Sequence, residues 1–221
     1  MKKAYKKLGT NIGLFAISSF GTKILNLVLV PLYTNCLSTA EYGTADLLTT
    51  ILQLAIPIFT LNIAGAVIRF LLDKNSDDTL ILGIGLKVTF LGSALLIVIA
   101  FGVNSIGILS IPTSYILFII ISFFFNGLYT ILTNFFRGKD KIVDIVIAGF
   151  INTFINCGSN IIFLLVMHMG IEGYLWSMIL GIIFPVIYLL FKVNRYKYVC
   201  YSAFSIVAQL SRQKSKIFIM N

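Results

Sequence analysis

The chain has 221 residues, 58% hydrophobic and 11% charged, with a mean hydropathy of +0.98 and a formal net charge of +9. An ordinary soluble domain carries about a quarter charged residues, so this composition excludes one. Period-two alternation is absent, which leaves helices rather than a closed barrel as the spanning element, and the basic balance reads as topogenic rather than as a nucleic-acid footprint.

The basic start, Met1-Lys-Lys-Ala-Tyr-Lys-Lys7, precedes an apolar stretch too long for a signal peptide and without a small-x-small cleavage site, so the stretch is expected to remain as a first span over about 11–33. Lys23 lies near its centre. A lysine at the bilayer midplane costs about 2.5–3.5 kcal/mol on insertion scales, and its stem is too short to regain water across half of a ~30 Å core. Ser19 and Asn26 fall one turn to either side on the same face, which Asn11, Ser18 and Thr22 extend. Two readings stay open: a cationic contact for an anionic substrate in a central cavity, or a lysine paired with a carboxylate or carbonyls, or snorkelling if the span shifts.

A short turn with one acid, Glu41, leads to a second span over about 45–72. Pro57 removes a backbone donor near its middle and is expected to bend it. Asp46, Thr50 and Gln53 share a face with Pro57; Asp46 is either a proton- or cation-coupling acid or an interfacial one. Arg69 ends the span with Asn62, Gly65 and Ala66 on its face. Its guanidinium fork suits a phosphate, but Asp73 four residues on could also pair with it.

Further spans are expected over about 80–103, 113–136, 142–167 and 173–191. The fourth carries Asn126, Thr130 and Asn134 at i, i+4, i+8, and the fifth carries Asn152, Asn156 and Asn160 at the same spacing. Such stripes line a wet cavity or join helices by hydrogen bonds. The fold class is thus all-α and integral to a membrane: residues 1–194 form a six-helix lobe and 195–221 a basic tail. By this reading 16 of the 17 Lys and Arg lie in or beside connections that share one side, Lys23 being the exception. The positive-inside rule then puts both termini in the cytoplasm. No metal, no cofactor and no enzyme motif is expected: the cysteines at 36, 157 and 200 lack a ligand spacing, and His168 stands alone in an outer turn.

The opening residues carry a resemblance. Asn11-Ile-Gly-Leu-Phe-Ala-Ile-Ser-Ser-Phe-Gly-Thr-Lys23, Pro31-Leu-Tyr-Thr-Asn-Cys-Leu-Ser-Thr-Ala-Glu-Tyr-Gly43 and Ala66-Val-Ile-Arg-Phe70 resemble the start of Wzx-type oligosaccharide flippases, in the superfamily that includes multidrug extruders. Phe135-Phe-Arg-Gly-Lys139 resembles that family's loop between spans four and five; elsewhere the likeness is topological. The resemblance implies translocation of undecaprenyl-diphosphate-linked oligosaccharide from the inner to the outer leaflet of the bacterial cytoplasmic membrane, for surface polysaccharides such as O-antigen or capsule. It implies two six-helix lobes around a cationic cavity working by alternating access. Lys23 and Arg69 match basic positions of relatives. Six spans correspond to one lobe, so a truncated product, a second copy or a second chain is expected. The alternatives are a membrane-embedded enzyme of polysaccharide assembly, which the short outer turns disfavour, and a non-transporting truncated fragment.

Overall fold

The computed structural model describes residues 13, 23, 27, 29–72, 77–105 and 112–195, and everything below concerns these. Residues 29–36 are helical, as are positions 13, 23 and 27. Then follow α1 (Thr39–Phe59), α2 (Ile63–Leu71), α3 (Asp78–Ser105), α4 (Thr113–Gly138), α5 (Ile142–Ile161), a π-helical turn (Ile162–Val166) and α6 (Gly170–Arg195). Five helical stretches are long and apolar enough to cross a membrane: α1, α3, α4, α5 with its π turn, and α6. This is a multi-pass membrane protein. Most of the expected first span and all of the tail beyond 195 lie outside the described residues, as do Ser19, Asn26 and Asp73.

Two expectations need correction. The second span is not one bent helix. It starts earlier, at Thr39, and is interrupted at Thr60–Asn62 before α2 begins. Ser38 sets the start through a capping box: its Oγ accepts from the Glu41 amide at 3.3 Å, while Glu41 accepts from the Ser38 amide at 2.8 Å. The interruption is a Schellman closure. The Asn62 amide donates to the Pro57 carbonyl at 3.1 Å and the Leu61 amide to Ile58 at 3.4 Å, with Leu61 and Asn62 both at φ 49°. Pro57 therefore sits inside the last turn of α1, and the chain turns three residues after it.

The second correction concerns Lys87. It does not lie beside a connection but nine residues into α3, about 14 Å along the axis. It is exposed and shares a face with the exposed Leu80, Ile84 and Leu91, where a long stem over apolar surface lets the ammonium reach toward the helix start.

Helix α4 is the hub and packs against every other numbered helix, while α5 and α6 form the longest pair. In lipid the apolar effect between helices is weak, so close approach and polar bridges carry association. At one end Phe135 and Phe136 of α4, Leu71 of α2, Leu82 of α3 and Val193 of α6 form a closed cluster. The other end is closed by Leu29, Tyr33, Leu37, Ala45, Leu48, Leu164 and Leu175. Cys36 and Cys157, free thiols and distant in sequence, pack against that same second cluster.

Candidate functional site

Basic side chains gather at one end of the bundle: Arg69 closes α2, Arg137 closes α4, Lys139 and Lys141 follow it, and Lys192 and Arg195 close α6. Part of this charge is spent on structure. Lys139 pairs with Asp78 at the start of α3. Lys192 pairs at 3.0 Å with Asp144, a buried carboxylate in the first turn of α5, which also accepts from the Tyr188 hydroxyl at 3.1 Å. Reading the sequence for orientation assigned Lys192 to the topogenic count and passed over Asp144; an acid just inside an apolar segment was the available signal. Arg69 differs from these. It is exposed, and among the described residues its guanidinium has no ion pair. On its face Asn62 and Gly65 are exposed and Ala66 is half-buried.

Helix α1 has three faces. Ala45, Leu48, Leu52 and Ala55 are buried against the bundle. Leu47, Ile51, Leu54 and Ile58 are exposed and apolar, a face suited to lipid. Tyr42, Asp46, Thr50 and Gln53 are also exposed, yet polar, and lie between the other two. A helix wrapped in lipid on both open faces would carry apolar residues on both. The polar one needs water or protein against it.

That face runs into a cleft of about 340 Å³ lined by Val30, Tyr33, Tyr42, Asn152, Thr153, Asn156, Tyr174 and Met178. The cleft lies at the end away from the basic cluster, where α1 and α6 begin. The Tyr33 and Tyr174 rings meet edge to face at 4.9 Å, and Tyr42 stands 6.5 Å from Tyr33. Lys23 is exposed and helical. With Leu27, Val30 and Thr34 it makes an i, i+4, i+7, i+11 series of exposed positions, of which Val30 lines the cleft.

The asparagine ladders divide in role. Asn156 donates to the Ser177 carbonyl of α6 at 3.3 Å, and Asn160, fully buried, donates to the Asn156 side chain at 3.1 Å and backbone at 2.9 Å. Asn156 thus bonds α5 to α6, and Asn160 holds Asn156 from within α5. Asn152 is half-buried, lines the cleft, and has no hydrogen bond among the described residues. On α4, Asn126 donates to the Ser122 carbonyl at 2.8 Å and Thr130 to the Asn126 carbonyl at 2.8 Å, satisfying themselves within their own helix. Asn134, half-buried, is one turn further on. The three tyrosines escaped sequence reasoning because they come from three segments and count as apolar or interfacial singly.

The family profile described as polysaccharide biosynthesis protein matches residues 8–218, nearly the whole chain. No curated protein and no solved structure matches it.

Proposed function

The chain belongs to the polysaccharide biosynthesis protein family, and we propose that it is a transporter lobe that moves undecaprenyl-diphosphate-linked oligosaccharide from the inner to the outer leaflet of a bacterial cytoplasmic membrane. A second lobe or a second copy supplies the other wall of the cavity, and alternating access exposes it to each side in turn. Both termini lie in the cytoplasm, as the basic helix ends favour. No catalytic step is involved.

The observation that carries this reading is the polar open face of α1 that runs into the cleft, with Lys23 exposed in the same series of positions as the cleft residue Val30. A diphosphate carries charge that a membrane interior does not solvate, and a lysine held in a wet path offsets it. Arg69, at the basic end, would take the diphosphate on entry, where its planar fork fits phosphate oxygens. Asn152 and Asn156 border such a path, Asn126 and Asn134 stand half-buried on α4, and Asn160, fully buried, supports Asn156. Asn26 and Ser19, one turn from Lys23 in the sequence, are further candidates for contact with the headgroup.

Export of lipid-linked glycan in a strain lacking its own transporter tests the reading. With the chain and its second lobe expressed, Lys23→Ala abolishes export while membrane insertion stays normal. Arg69→Ala lowers export about tenfold, the order expected for one charge-assisted phosphate contact. Unchanged export from Lys23→Ala removes the cation from the mechanism.

A further inference from the structure

We infer that the tyrosine-lined cleft between residues 29–36, α1, α5 and α6 is a subsite for one hexopyranose ring of the transported glycan, neutral or amino-substituted, rather than a site for a coupling ion. This rests on the transporter reading above and goes beyond it by assigning the sugar class.

Three groups in the cleft are chemically uncommitted. The hydroxyls of Tyr33 and Tyr174 and the side-chain amide of Asn152 have no hydrogen bond among the described residues, and all three residues line the cavity. None of the three is sealed from solvent, so each is free to turn to a ligand that enters the cleft. Together they offer several donors and acceptors around about 340 Å³, room for a small polar ring rather than for a bare ion. Asp46 sits one turn past Tyr42 on the same open face and is close enough to the Tyr174 hydroxyl to interact with it electrostatically. A carboxylate accepts two hydroxyl hydrogens at once, and a pyranose presents such vicinal hydroxyls.

Stacking is supplied by Tyr42. Its ring is 41% exposed at the mouth of the cleft, with Tyr33 holding it from one side at 6.5 Å. An aromatic face with negative charge on its π surface attracts the polarised C–H hydrogens of a sugar. An ion site would need several oxygen ligands converging at about 2.3–2.6 Å, whereas no carboxylate lines the cleft among the described residues, and Asp46 stands one turn beyond it on the open face of α1. The sequence spacing also agrees with the headgroup: Lys23 stands seven residues before Val30, which lines the cleft, so a diphosphate held by Lys23 leaves the first sugars of the chain toward the tyrosines.

The carboxylate sets selectivity. An acidic sugar would bring like charge near Asp46, a repulsive element that disfavours uronic acids at this position.

The test uses the full chain in nanodiscs and saturation-transfer NMR with four free sugars: a neutral hexose, an N-acetylhexosamine, an amino sugar and a uronic acid. A polyprenyl diphosphate without sugar serves as a separate probe. At least one of the first three is expected to receive saturation, strongest on its ring C–H protons, and the uronic acid none. Tyr42→Ala and Asp46→Asn are expected to weaken binding about tenfold, while Tyr42→Phe keeps it, which separates loss of stacking from loss of fold. Binding of the polyprenyl diphosphate without any sugar overturns the subsite and leaves the transporter reading standing. Binding of neither probe removes both. A sodium-dependent signal lost in Asp46→Asn, with no sugar signal, overturns the subsite in favour of a coupling site. Equal binding of the uronic acid overturns the role of Asp46.

Discussion

Asparagines at identical spacing do different work once neighbours are counted. Asn156 is held by Ser177 across the helix pair and by Asn160 along its own helix, while Asn152, one turn before it, is left to the cleft. Asn156→Ala is therefore expected to lower stability by about 1 kcal/mol, two bonds at about 0.6 kcal/mol each, and Asn152→Ala by much less; equal losses in an unfolding titration would refute the division. The ion pair at the basic end has a similar asymmetry. Asp144 is buried, and Lys192 keeps 23% of its side-chain surface open. Removing the lysine takes the cation from a carboxylate that cannot reach water, whereas removing the aspartate leaves an ammonium that can. Lys192→Ala should lower Tm more than Asp144→Ala, and the reverse order contradicts this account. The ladders were legible in the sequence as stripes, but their partners were not, because Ser177 and Lys192 come from the next helix and periodicity reports only the helix it is read on.

At the scale of elements, hydropathy was enough to find every long helix among the described residues, since each is a long apolar run that must satisfy its backbone internally. The break at Thr60–Asn62 was only half legible. Pro57 marks the neighbourhood, but the closure depends on Leu61 adopting a left-handed conformation that its residue type disfavours. Packing explains why the break is placed there. The Phe59 carbonyl, in the last turn of α1, lies 2.5 Å from where a Cβ on Gly92 of α3 would stand. Only glycine allows α1 to end against α3 in this way. Gly92→Ala should push the two helices apart at a cost of about 1–3 kcal/mol, read as lower Tm and weaker amide protection at Leu61–Ile63; a variant as stable as the parent would show that the contact is slack. At the other end Gly170, at φ 57°, starts α6 next to the Glu41 carboxylate. One acid thus caps the start of α1 and lies against the start of α6.

The whole molecule combines a closed basic end, tied by Lys139–Asp78 and Lys192–Asp144, with a tyrosine cleft at the other end and a polar open face linking cleft to bundle. The charge asymmetry was legible from the sequence, though Lys87 proved to lie within a helix. The cleft was not, since no single segment contains it. The central claim is that α1 presents one open face to water and another to lipid. Cysteine scanning in native membranes tests it directly. In a variant with Cys36, Cys157 and Cys200 replaced by serine, single cysteines are placed at Asp46, Thr50 and Gln53 and at Leu47, Ile51 and Leu54, then treated with a charged, water-soluble thiol reagent. The account predicts labelling at the first three positions and protection at the second three. Equal labelling of both sets, or protection of all six, would contradict it.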